Sequence, residues 1–573
     1  MNIKHLQNKI VLAVFSITIA GTAQEIGTEV INVVKPYTPT VADAEKIKET
    51  PQIGDTIPQS QKEVTYSISS VPVASTFTPD KGKASTVERK KSEKIYDNYA
   101  TLGIGNYTSI LAEFYSNFAV SRTDNFDLFL RHNSAQGGID EVRLDDKFYD
   151  TNLDVNYSSR QRDMSYRLGF GVLHKMHNWY GLPDTAFTDE EINQIDSGHS
   201  FFGVGANGNL KFDDLIFSGG DASLRYFGDS FGSSEIQAVI QPEFEFELNG
   251  FDVGIKGDID YLSGKFDRTY FDENTDISYG IFKLGAQPYI KLLGDDYAVN
   301  LGAKLVYGID SENSDSDIFI YPKVSASYNL VEDFATIYAG ADGDLDQNSY
   351  LNFAQENPFV SPTLFVVPTN RMYEAFAGLK GKFTDNISYN LKASYKSEEA
   401  KPLFIGNSFS GNFIDSEGYQ YGNSFGVLYD DVNTLDVFAE LQADITKDFS
   451  LGVNANFYSY STDILEEAYN LPTIKASVFA NGSFSEKFYG GINLFYVGER
   501  KDINMEINPW DGFQEVTLDG YFDVNLHLGY RITNQLSAFV KGNNLLGDNY
   551  EKWQNTPVLG LQVMGGITYK FDW

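Results

Sequence analysis

The sequence predicts an all-β fold, a transmembrane antiparallel β-barrel of about 22 strands behind a short, mostly irregular N-terminal periplasmic segment. Three observations predict it. First, only 42% of the 573 residues are hydrophobic, yet there are 36 Tyr, 43 Phe and 50 Gly. A barrel wall needs apolar side chains only at alternate positions, with aromatics at its two interfaces. Second, no apolar run of about 18 residues follows the N-terminus, which excludes helical spans. Third, long stretches alternate polar and apolar residues with a period of two, the signature of strands with one wet and one lipid-compatible face. The absence of Cys excludes disulfides, thiolate metal sites and cysteine nucleophiles. A formal charge of −35 argues against nucleic acid as a partner, since phosphates would be repelled.

Residues 1–23 read as a signal peptide. Lys4 and Lys9 give a positive start, Ile10–Ala20 a short apolar run, and Gly21-Thr22-Ala23 the small residues of a cleavage site. Residues 24–98 form the second unit. Pro36, Pro39, Pro51, Pro58, Pro72 and Pro79 punctuate it, and neither helical nor strand periodicity is strong. Residues 60–98 carry more β character, at Val64–Ser69 and Val71–Ala74. This part is expected to dock inside the barrel, its Lys81, Lys83, Arg89, Lys90 and Lys91 facing an acidic wall.

The barrel is expected over 99–573. Phe522, Val524, Leu526, Leu528, Tyr530 and Ile532 share one face, and Asp523, Asn525, His527 and Arg531 the other. Leu435, Val437, Leu441 and Ile445 alternate in the same way with Asp436, Glu440, Gln442 and Asp444. Ten short polar turns join such runs, at 122–125, 160–163, 212–214, 249–250, 294–296, 332–333, 384–386, 446–448, 485–487 and 533–535. Ten hairpins, a first strand near Thr101–Gly105 and a last strand Val563–Phe571 give the count of 22. Tight turns belong on the periplasmic side. Long external connections are expected at 181–197, 264–276, 308–317, 342–370, 398–433, 458–471, 499–518 and 543–561, with Tyr419–Tyr429 an alternative extracellular hairpin.

The end of the chain narrows the class. Asn543-Asn544-Leu545-Leu546-Gly547-Asp548-Asn549-Tyr550 is followed by a closing strand that alternates through Val563, Gly565, Ile567, Tyr569 and Phe571. This resembles the closing strands of TonB-dependent receptors. The aromatic end also resembles the signal read by the barrel-assembly machinery, although Asp572 and Trp573 follow it here. The resemblance implies an outer-membrane barrel, lipid as its surroundings, the assembly machinery as a partner during insertion, and a plug domain in the lumen. Residues 24–98 are shorter than such a plug, so the plug is expected to be missing. Within Thr28–Val34, residues Val30, Ile31, Asn32, Val33 and Val34 resemble a TonB box, a strand that adds to the edge of a partner sheet, offered to TonB or another envelope protein.

No cofactor, metal site or catalytic group is expected. Motifs for nucleophilic hydrolysis, zinc hydrolysis and phosphate loops are absent. His174 and His177 form H-x-x-H, but a strand sends them to opposite faces. Asp310, Glu312, Asp315 and Asp317 lack the Gly and terminal Glu of a calcium loop. Two functions fit. One is a receptor that binds or passes a solute, with Phe353–Phe365 and Phe404–Tyr429 as stacking surfaces. The other is a plug-less structural or assembly subunit of an outer-membrane complex. A wide plug-less barrel would leak, so the tether, folded-in loops or a partner must close it.

Overall fold

The computed structural model describes residues 94–573, except 184–186, 214, 333, 411–415 and 506–512. The expected signal peptide, the TonB-box-like Val30–Val34 and the stretch expected to dock in the lumen before Lys94 lie outside the described residues.

Twenty-two strands form one antiparallel sheet that closes on itself. Closure comes from the two ends. The first strand, Asn98–Gly105, pairs along its whole length with the last, Gln562–Phe571. Lys94 Nζ meets the Asp572 carboxylate at 2.6 Å and Trp573 Nε1 donates to Ser116 Oγ at 3.0 Å, so the two residues beyond Phe571 clasp the seam. A closed barrel leaves no unpaired strand edge, the condition for β-structure in lipid. Strands about 4.8 Å apart and tilted by roughly 40° give a barrel of this size a backbone diameter of about 40–45 Å.

The alternation in sequence becomes an inversion in space. On the sixteenth strand, Phe425–Thr446, outward Leu435 and Val437 are 42% and 45% exposed, while inward Thr434 and Asp436 are 4% and 6% exposed. Apolar side chains left facing outward in this way require lipid as the solvent. At the tight-turn end, aromatics pair across the turns: Phe118 with Phe126, Tyr157 with Tyr166, Phe212 with Phe217 and Phe383 with Tyr389. Trp573 stacks on Phe118 and extends this belt across the seam. Such a girdle marks the level of the lipid headgroups.

Glycines make room for aromatics lying flat on the wall. Gly254 stands directly across from Tyr289, and Gly529 from Tyr489. A Cβ on either glycine would come within 2.1 Å of that ring. Asn249 and Gly250 turn between the eighth and ninth strands with φ of 54° and 82°, the left-handed pair that a two-residue hairpin requires.

Two expected external loops are shorter than the sequence suggests. Residues 308–317 are mostly strand, with the turn confined to the four residues between Asp310 and Asp315. Within 398–433, strands Ile387–Gly406 and Phe425–Thr446 pair far beyond the bilayer, so the connection is only 407–424. The polar run Glu398–Lys401 reads as loop because the ladder shifts register there, with Ala400 at φ 51°. Of the alternative hairpin at Tyr419–Tyr429, Phe425–Tyr429 belong to this long strand, and 419–424 lie in the connection, where Tyr421 bridges to Phe409.

Candidate functional site

The long connections turn inward and build a cap across the mouth opposite the tight turns. Its core joins Trp179, Tyr350, Phe353, Phe359, Phe404, Tyr419, Phe425 and Trp553, all buried. They come from loops and strand ends at four separate places on the rim. Trp179 follows the fifth strand, Met164–Asn178, and Tyr419 precedes the sixteenth, so the two meet from nearly opposite walls.

Polar contacts fix how the loops cross. Trp179 is 1% exposed, and its indole N–H donates to the Phe359 carbonyl at 3.0 Å. Asn423 Nδ2 donates to the Trp179 and Gly418 carbonyls at 2.7 and 2.8 Å. Tyr180 OH donates to the Pro557 carbonyl at 2.9 Å, tying in the loop before the last strand. Tyr270 OH donates to the Ser408 carbonyl at 2.8 Å, and Gln420 Nε2 to the Tyr270 carbonyl at 2.7 Å. Burial raises the pKa of the Tyr270 phenol, so it remains a neutral donor.

A short helix, Tyr350–Glu356, is the keystone. Ser349 caps it by accepting from Asn352 N at 3.1 Å, and Arg225 donates to the same hydroxyl at 2.8 Å. Tyr350 N–H donates to Glu235 Oε2 and Tyr350 OH to Asp229 Oδ2, both at 2.6 Å. Asp229 also meets His199 Nε2 at 3.2 Å, and the His199 ring stacks on Trp179 at 4.3 Å. The helix is thus bolted to the wall by two buried carboxylates, each charge shared among several donors.

Below the cap, the ninth to fifteenth strands carry a ladder of opposite charges. Lys283 meets Asp260 at 3.2 Å, and Lys304 meets Asp258 and Asp344 at 2.6 and 2.8 Å. Lys323 pairs with Asp342 and Asp344, Arg371 with Asp342 and Asp346, and Lys392 with Glu374. On this wall five cations offset most of the charge of six carboxylates in the expected acidic lumen.

Several expected roles change. The aromatics Phe353, Phe359, Phe404, Phe409, Tyr419, Tyr421 and Phe425 are consumed in the cap core rather than offered as free stacking surfaces. Among the described residues of 353–365 and 404–429, Phe365 is the aromatic left open, 63% exposed. His174 faces outward against Phe202 and His177 inward against Phe359, so they cannot share a metal ion. The Asp310 carboxylate is occupied by the backbone N–H groups of Glu312 and Asn313, shaping the turn. Val563, Gly565, Ile567, Tyr569 and Phe571 lie on the strand that pairs with both the first strand and Leu536–Asn543.

No family model matches the sequence, and no curated protein matches it. Solved structures do match in fold. The pyoverdine outer-membrane receptor FpvA from Pseudomonas aeruginosa PAO1 superposes with a TM-score of 0.61 at 14% identity, over 84% of this chain and 80% of that one. The FrpB iron transporter from Neisseria meningitidis gives 0.63 at 9% identity, over 83% and 82%. The copper transporter OprC gives 0.58 at 12% identity, over 83% and 80%. With its inverted surface, its closed 22-strand sheet and these likenesses, the chain has the β-barrel fold of the TonB-dependent outer-membrane receptors.

Proposed function

We propose that this barrel binds a solute at the outer membrane and passes it through the lumen. The observation that carries the reading is the loop-built cap over a charged, polar lumen. A wide barrel that closes its own mouth chiefly with the connections between its strands is suited to gated passage. The solved neighbours support this: FpvA is a pyoverdine receptor, and FrpB and OprC are iron and copper transporters. Val30–Val34 would then be the strand offered to TonB.

The cap favours a second reading as well. Its aromatic core is extensive enough to be a permanent lid, as a plug-less subunit of an envelope complex would need. Planar-bilayer recording separates the two. A transporter shows rare openings that become frequent when 407–424 is deleted, and its uptake depends on TonB and on Val30–Val34. A barrel that stays shut without that loop, and copurifies with a stoichiometric partner, is an assembly subunit.

A further inference from the structure

The mouth of this acidic chain contains a concentrated island of positive charge. Lys475 is the second residue of the eighteenth strand, Ile474–Ser483, where Ile474 and Val478 are exposed on the outer wall. Alternation therefore turns Lys475 inward. Lys552 lies in the small hairpin of Glu551–Trp553 and Thr556–Pro557. Lys401 lies near the upper end of the fifteenth strand, Ile387–Gly406. One carboxylate, Glu356 at the end of the keystone helix, lies in the electrostatic field of all three lysines.

Packing holds the group together. Phe353, one turn before Glu356, packs edge-on against Phe404, which packs against Trp553 beside Lys552. Arg500 donates to the carbonyls of Lys552 and Glu551 at 2.6 and 2.8 Å, which brings a further cation to the cluster. Lys401 shares its charge with Glu398 at 2.5 Å. Lys475 and Lys552 differ from it: both are accessible, and neither ammonium has a hydrogen-bond or ion-pair partner among the described residues. Like charges held at close quarters repel. Two unpaired, accessible ammoniums carried on ordered elements of one mouth are placed to receive negative charge.

We propose that this cluster of cations binds a small anionic solute bearing carboxylate or phosphate groups. Lys475 and Lys552 contact it directly, Lys401 and Arg500 add to the attractive field, and Glu356 opposes it and so keeps the site able to release. The inference rests on the solute-handling reading above and names its ligand class.

Full-length protein folded in detergent micelles is titrated by calorimetry with citrate and, separately, with inorganic phosphate. At least one anion binds the wild type, and which one identifies the headgroup chemistry. The double variant K475Q/K552Q weakens that binding by about tenfold or more, as expected for two charge-assisted contacts. E356Q tightens it, a gain of affinity that damaged folding would not produce. If neither anion binds, or if K475Q/K552Q binds as the wild type does, the proposal is overturned. The two readings fail separately. A protein that binds citrate through these lysines yet never opens in the bilayer keeps the site and loses transport. One that opens but binds neither anion does the reverse.

Discussion

Single residues report which solvent each face meets. Val437 and Leu526 lie on the outer face, and Asn525 points into the lumen. Replacing either outer residue with Arg puts a charge in hydrocarbon and is expected to cost about 2–4 kcal/mol at midplane depth, with Asn525→Arg costing far less. Folding titrations into lipid vesicles measure this, and equal costs would mean the faces are reversed. Within the cap, Tyr350→Phe removes one donor from the buried Asp229 carboxylate. It should loosen the keystone helix by about 1–3 kcal/mol, seen as faster protease cleavage within 347–368.

Asp502 gives the cap a pH dependence. It lies in the external hairpin Arg500–Met505/Phe513–Leu518 and accepts from Ile503 N at 2.8 Å and Gly406 N at 3.4 Å. Its other oxygen has no hydrogen-bond partner among the described residues, and burial pushes its pKa up to about 6 despite nearby Asn470 and Arg500. A carboxyl group whose folded pKa is raised stabilises the fold fully below its unfolded value, near 4, and loses that contribution as pH rises through about 6. Docking of the hairpin should therefore be firmer at pH 5 than at pH 7.5. Asp502→Asn should flatten the difference in limited proteolysis scored against a denatured control.

At the scale of elements, turn chemistry sets register. Asn249 and Gly250 both adopt positive φ, where a Cβ costs roughly 1–2 kcal/mol per residue. Gly250→Val should slow insertion and lower the unfolding midpoint without changing the folded barrel. Heat-dependent gel mobility follows both; an unchanged rate and midpoint would show that the neighbouring strands alone set this hairpin. The long strands Ile387–Gly406 and Phe425–Thr446 act differently. At about 3.3 Å per residue they far exceed the roughly 25 Å apolar band, so their upper halves form a tower that carries the loop 407–424 over the mouth.

For the whole molecule the question is what holds the lumen shut. The cap makes deletion of 407–424 the change expected to raise conductance most, since it removes Tyr419, Gln420 and Asn423 together with their bonds to Tyr270 and Trp179. Deleting 24–59 should leave conductance nearly unchanged. Deleting 60–93 raises it only if that stretch also enters the lumen, so bilayer recordings of the three deletions apportion the seal between cap and tether.

The sequence by itself determined the barrel. Period-two alternation places each side chain on a face using only its neighbours, and tight turns are written in two to four local residues, so the strand number and the pairing of the two ends follow without knowledge of distant contacts. It could not determine the cap. Trp179 meets Phe359 and Asn423, and Tyr350 meets Asp229 and Glu235, only because closing the sheet carries their loops to a common mouth. In sequence those aromatics look like free loop residues, and Glu398–Lys401 looks like a loop rather than a bulged strand. The charge island of Lys475, Lys552 and Glu356 is invisible for the same reason. Its members lie on three separate connections and strands, and only the curvature of a closed wall turns them toward one another.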